Sequence, residues 1–308
     1  STGIKPLMET IDKAEKGGKS REEILAWLKI ACVFGGNVRA VTALIRSFGT
    51  PEDVFDAPKR LLAKVIGMDD AAALLSMQTE ETAPKSFNWL ESAPSADIVV
   101  LTDDDYPQAL IHAGEPPALL FIRGQRALLR KERVLLAVTA AADKEGQENA
   151  ADFAAALSAS GVVPGSFLET AAEKVLVSAA ARPGLGIIVC SAGGPDRGSA
   201  QRLRAYEAVE SNGLIVTAEF PGTGATDVSR GRCRWLAAAL SRALLVIQAE
   251  RRSTILGLAR EAGNLGRDVA ALPGSVHSPL YKGNHQLIRE GARLVENIDD
   301  LKADLRLD

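Results

Sequence analysis

The sequence predicts an α/β protein, with a parallel sheet covered by helices on both faces and a small all-helical domain ahead of it. Three observations predict this. Short apolar runs at 134–138, 186–190, 214–219, 243–248 and 269–272 alternate with helical stretches. Those runs are apolar at nearly every position, not at every second one, as strands buried on both faces must be. The chain has 308 residues, 46% of them hydrophobic, enough for one large domain and a smaller companion.

The elements follow in order. Residues 1–20 are polar and rich in Lys and Gly, and read as a disordered lead. From Arg21 the spacing becomes helical: Leu25, Trp27, Leu28, Ile30 and Ala31, then Val38, Val41, Leu44 and Ile45 up to the turn at Gly49-Thr50-Pro51. Residues 21–76 therefore form the helical domain. Residues 77–96, with Pro84 and Pro94, read as a linker. The sheet domain covers 97–308 and opens with a strand at Ile98-Val99-Val100-Leu101. Asn297 and Asp300 cap a last helix that ends near Leu305.

The stretch 266–292 is the most informative. A helix ends at Gly266, a short strand follows, Pro273-Gly274 breaks it, and a polar loop leads to a helix near Gly283-Asn284. Strand, sharp turn and helix N-terminus are the parts of a phosphate-binding crevice at the carboxyl edge of a parallel sheet.

Composition narrows the function classes. A net charge of −3 and a pI near 5.8 give no overall attraction to polyanions, so any nucleic-acid contact must be local. One segment supplies such a patch: residues 227–260 hold seven Arg against one Asp and one Glu, a local charge of +5. Arg230, Arg232 and Arg234 precede an apolar helix with Trp235 beside them, and Arg251-Arg252 follow the next strand. Guanidinium forks pair with phosphates and an indole stacks a base, although a solvated basic face fits the same pattern. Cys32, Cys190 and Cys233 lie far apart without metal-ligand spacing, and three histidines are too few for a metal centre. The turn at 193–198 lacks both a phosphate-loop Lys-Ser/Thr and a dinucleotide fingerprint. No nucleophile–base pair is visible, so neither turnover nor a cofactor is expected. No apolar run reaches the roughly 20 residues of a membrane span, and the chain's start has no signal-peptide core, so a cytoplasmic location is expected.

Several of these segments resemble the DNA processing protein A (DprA/Smf) family. The resemblance rests on W-L-K-I and S-F-G-T-P-E-D-V-F in the helical domain, on D-D-D-Y-P-Q-A-L and E-P-P-A-L-L-F-I-R-G at the entry to the sheet domain, and on G-N-H-Q-L-I at 283–288. It implies a Rossmann-like sheet domain behind a sterile-alpha-like helical one. It also implies single-stranded DNA binding, loading of a RecA-type recombinase during transformation, and a homodimer, for which the apolar segments 237–240 and 270–272 offer surface. The residues carried over as DNA contacts are Arg230, Arg232, Arg234, Trp235, Arg252, Ser253, Lys282, Asn284 and Gly165.

The phosphate-facing motifs depart from the family pattern. Val138-Thr139-Ala140 stand where Gly, Ser/Thr and Arg are expected, and Glu145 replaces a Tyr. Of S-G-x-A-x-G-I-D, only Gly165 survives in residues 164–171, with Pro164 removing a donor and Glu169 adding a charge that repels phosphate. Two alternatives therefore stand beside DNA binding. One is a nucleotide hydrolase of the related Rossmann variant, for which Glu219 is the acid placed at a strand end. The other is a scaffold that has lost its ligand.

Overall fold

In the computed structural model, residues 18–167, 186–198 and 200–305 are described. The chain divides into two units, one running to Tyr106 and including 114–122, the other made of 107–113 with 123 onward.

The first unit is built on helix α1 (Arg21–Phe34). The Ser20 hydroxyl caps it by accepting from Glu23 N at 3.1 Å, and Ile24, Trp27, Leu28 and Ala31 form the buried stripe of an amphipathic helix. Short helices follow: α2 (Val38–Phe48), α3 (Pro51–Asp56), α4 (Lys59–Ile66) and α5 (Met68–Leu74). Thr50 and Asp53 close a reciprocal capping box on α3, and Pro51 occupies its first position. Gly67, at φ +90°, makes the turn between α4 and α5.

Residues expected to be a linker are instead helix α6 (Met77–Ser92), which packs on α1. Pro84 lies inside it and removes one helical donor. Burial of Ala83, Phe87 and Leu90 along one face offsets that loss, a tertiary contribution that local propensity does not contain. Nor does the expected disordered lead extend to residue 20: Lys19 is buried and bonded to Asp103. Residues 1–17 lie outside the described residues. Strand β1 (Ala96–Val100) and residues 119–122 of β2 (Leu119–Gly124) complete this unit, which thus extends beyond the expected boundary at 97.

The second unit starts with α7 (Gln108–His112) and carries a parallel sheet. Its strands are β3 (Arg133–Val138), β4 (Val163–Phe167), β5 (Ile188–Cys190), β6 (Leu214–Thr217), β7 (Ala243–Gln248), β8 (Asp268–Ala271) and β9 (Arg293–Leu294). Their order is β6-β5-β4-β3-β7-β8-β9, and every pairing is parallel. Strands step away from β3 on one side and, after β6, the chain returns to place β7 on the other. The topological switch point lies between β3 and β7. Helices α8 (Lys144–Ala159), α9 (Ala200–Glu210), α10 (Asp227–Leu240), α11 (Thr254–Asn264), α12 (Lys282–Arg289) and α13 (Ile298–Leu305) connect and cover the strands. Asn297 accepts from Asp300 N at 2.9 Å at the start of α13, as the sequence predicts.

Strand β4 departs from the sequence expectation. Two residues that disfavour strands, Pro164 and Gly165, sit within it, yet all five positions are buried between β3 and β5. Gly165 is therefore an interior sheet position, opposite Leu135 and Ile188, and not part of an open anion cradle. A Cβ there would contact Leu135 Cα and Ser241 Oγ at 3.6 Å. Residues 168–171 of that motif lie outside the described residues. The apolar segments 237–240 and 270–272, expected to offer surface for pairing two copies, are covered within the single chain, with none more than 4% exposed.

Candidate nucleic-acid interface

The switch-point crevice is occupied by the protein's own side chains. Strand pairing between β3 and β7 slips after Ala137, so that Val138 faces Gln248. The fully buried Gln248 donates from Nε2 to Asp143 Oδ1 at 2.9 Å and accepts from Asp143 N at 3.3 Å. Asp143 also caps α8, accepting from Gly146 N at 2.9 Å, and a Cβ on Gly146 would stand 2.3 Å from Gln248 Oε1. The Gly146 amide and then the Gln248 amide hold the Asp143 carboxyl below its ordinary range. A carboxylate thus already sits where a helix N-terminus would receive a phosphate.

Across the crevice, Tyr281 donates to Glu145 Oε2 at 3.1 Å. Burial, then that bond, pushes its phenol up to about 12. The Tyr281 ring fills the space over Gly274, where an added Cβ would come within 2.1 Å of it. Sequence reasoning does not bring Asp143, Glu145 and Tyr281 together as a group. The one legible signal is Asp143 three residues before Gly146, an N-cap spacing.

The turn at Gly193-Gly194 is closed as well. Gly194 N donates to Thr223 O at 2.9 Å, a Cβ there would meet Phe220 O at 2.3 Å, and Asp196 accepts from Gly222 N at 2.8 Å. Gly194 N thus serves the neighbouring loop, and Gly193 N donates to Ser191 Oγ at 3.4 Å.

The basic segment lies on α10 and in the turn after β7. Because 230–235 is helical, the three arginines do not share a face. Arg230 and Arg234, four residues apart, flank one side of the buried stripe formed by Cys233, Leu236, Ala237 and Leu240, and Arg232 flanks the other. Arg230 Nη1 bonds the exposed Asp227 at 3.0 Å. Arg232 donates from Nε and Nη2 to Glu219 Oε1 at 2.9 and 2.7 Å, and that carboxylate is only 11% exposed. Glu219, the acid a hydrolase would use, is thus held in an ion pair. Arg234 lies near Glu261 of α11 and lowers its carboxyl against the larger upward push of burial, while Trp235 is half-buried.

Arg251 and Arg252 are exposed and have no ion-pair partner among the described residues. They precede Ser253, whose hydroxyl caps α11 by accepting from Ile255 N at 3.2 Å. The start of α12 is stitched to this turn: Gly283 N donates to Ala249 O at 2.8 Å, and a Cβ on Gly283 would stand 2.6 Å from that oxygen. Lys282 reaches back to Val276 O.

Asn284 is not a surface contact. It is wholly buried, accepts from Ala249 N at 2.8 Å and donates to Val246, Ile247 and Leu272 carbonyls at 3.2, 3.1 and 2.9 Å. Its amide clamps the carboxyl ends of β7 and β8, and complete burial keeps it from a ligand. The structure brings together Arg252, Ser253 and Lys282 at one edge, sets Arg230, Arg234 and Trp235 on the adjoining helix, and excludes Gly165 and Asn284.

The model of the DNA recombination-mediator protein A family matches residues 97–306. The chain belongs to that family. DNA processing protein DprA of Streptococcus pneumoniae is 29% identical over 209 residues, which span 66% of this chain and 72% of that protein. Protein Smf of Escherichia coli is 28% identical over 223 residues, 72% of this chain and 59% of Smf. The solved S. pneumoniae DprA structure superposes with a TM-score of 0.74 at 23% identity, covering 92% of this chain and 97% of that one. DNA processing protein A from Helicobacter pylori, whose structure addresses its single-stranded DNA binding mode, superposes with a TM-score of 0.59 at 21% identity, covering 68% and 95%. These superpositions establish a shared Rossmann-like fold. Beside the residues Val138-Thr139-Ala140, which depart from the family pattern named above, Asp143 and Gln248 are bonded to each other. No helix among the described residues is long and apolar enough to cross a membrane.

Proposed function

We propose that this family member binds single-stranded DNA along the carboxyl edge of its sheet and delivers it to a RecA-type recombinase in the cytoplasm, without turnover of its own. The observation that carries the reading is the pair Arg251-Arg252, exposed and without an ion-pair partner among the described residues at the start of α11, with Arg230 and Arg234 on the next helix. The single-stranded DNA binding mode of the H. pylori protein supports the ligand class. Phosphate contact falls to these guanidinium groups and not to the glycine turns, whose donors are already used. The half-buried Trp235, next to Arg234, is the aromatic ring on that helix for stacking a base.

Fluorescence anisotropy of a labelled single strand across a salt series tests this. Each phosphate contact contributes about 0.7 to the slope of log K against log salt, so Arg230→Ala, Arg251→Ala and Arg252→Ala together flatten it by about two units. An unchanged affinity and slope in the triple variant defeats the assignment. Two copies are expected to associate, and since 237–240 and 270–272 are covered, the apolar residues open to such a contact include Val228, Val276 and Leu294. Light scattering that finds one-chain mass at all micromolar concentrations excludes the pair.

A further inference from the structure

The first unit sorts its cations in a way the sheet-edge reading does not explain. Between residues 18 and 95 there are nine Lys and Arg residues. Four are engaged. Lys19 bonds Asp103, Arg21 lies over the Phe87 ring at 4.6 Å, Lys29 bonds Glu80 at 2.6 Å and covers Phe55, and Lys85 lies 3.7 Å from Glu81. The other five, Arg39, Arg46, Lys59, Arg60 and Lys64, are exposed and have no partner among the described residues. All five lie on α2 and α4, which pack against each other.

Their directions are set by helix geometry. On α2 the buried residues are Val41 and Leu44, and at 100° per residue Arg39 and Arg46 project from the opposite side. On α4 the buried residue is Leu62, and Arg60 and Lys64 again point away from it. The two helices are in contact, so these outward cations lie on neighbouring helices. The nearby acids lie on other helices, Glu52, Asp53 and Asp56 on α3 and Asp69 and Asp70 on α5, so α2 and α4 themselves carry five cations and no acid.

We propose that the outer face of α2 and α4 is a second nucleic-acid surface and that its ligand is duplex backbone. Unpaired, exposed cations contribute binding through release of condensed counterions, and a duplex carries the denser charge, one per about 1.7 Å of axis. The face has no exposed aromatic ring, since Phe48 and Phe55 are half-buried and Lys29 covers Phe55. It therefore lacks the stacking that favours single strands. Nor does α2 expose a large apolar side chain for insertion into lipid, and α4 offers only Leu61 at 39% exposure. This surface does not depend on the single-strand reading of the sheet edge.

The test uses the whole chain with Arg39→Ala, Arg46→Ala, Arg60→Ala and Lys64→Ala combined, measured by anisotropy against a short blunt duplex and a single strand over a salt series. All four side chains are exposed, so the fold is retained, and circular dichroism checks this. The parent binds the duplex, and the variant loses about 3.6 units of slope if all four touch phosphate, while single-strand binding persists. A second variant combining Arg39→Lys, Arg46→Lys and Arg60→Lys keeps the parent's slope, because charge and not fork geometry acts here. Three outcomes overturn the proposal: a parent that ignores duplex, an alanine variant that binds duplex as the parent does, or a parent that prefers anionic phosphatidylserine vesicles to duplex. In the second of these, a simultaneous loss of single-strand binding would also move the single-strand site to this face.

Discussion

Asp143 and Gln248 are bonded to each other twice, side chain to side chain at 2.9 Å and backbone N–H to side chain at 3.3 Å, across the point where the strand order reverses. This pair occupies the place where doubly wound proteins usually seat a nucleotide phosphate, and it supports a reading in which the ligand is held outside the crevice by arginines.

Replacing Asp143 by Ala removes the cap of α8 and leaves the buried Gln248 amide short of a partner. A cap is worth about 1 kcal/mol and an unsatisfied buried group about 1–3 kcal/mol, so urea denaturation should show a loss of about 2–4 kcal/mol. Because the folded-state carboxyl is held below its ordinary value of 3.8, its contribution is present above that pH and fades as pH falls through the lower folded value. Asp143→Asn should therefore flatten the acid side of the stability curve below about pH 4. An acid limb identical to the parent's would contradict the assigned bonds.

Asn284→Ala removes a partner from Ala249 N and from the Ile247 and Leu272 carbonyls, while Val246 O keeps Leu272 N at 3.0 Å, and should cost about 3 kcal/mol or more. The thermal midpoint should fall, while the folded fraction binds single-stranded DNA with the parent's affinity. A loss of affinity without a loss of stability would return Asn284 to the interface.

Arg232 and Glu219 make opposite forecasts. Arg232→Ala leaves a nearly buried carboxylate without its cation and should lower stability by about 1–2 kcal/mol, a figure discounted because Arg232 itself is 57% exposed. Glu219→Gln weakens the hold on Arg232, and the salt slope for single-stranded DNA should steepen by about 0.7 as that guanidinium reaches a phosphate. Denaturation and anisotropy on the two variants separate these effects.

Tyr281 has its phenol raised to about 12, so its contribution to stability is complete below the unfolded value near 10 and is lost as pH rises through about 12. Tyr281→Phe should lose less stability than the parent over that interval, measured as the difference between their denaturation midpoints at pH 9 and pH 12.

The parallel sheet was legible because strands buried on both faces are apolar at nearly every position, as in Leu244, Leu245, Val246 and Ile247. The basic segment was legible because charge is counted directly from the letters. Helix α6 and strand β4 were not, since Pro84, Pro164 and Gly165 oppose their elements locally and only packing with distant segments overrides that opposition. The site divides in the same way. Sequence alone placed Arg230, Arg232, Arg234 and Arg252 near one another along the chain. Tertiary structure decided that Arg232 is tied to Glu219, that Asn284 is an interior clamp and that Asp143 is bonded to Gln248 at the crevice. Each of those outcomes depends on partners 12 to 105 residues away, and a hydrogen bond between remote residues leaves no periodicity in the sequence to read.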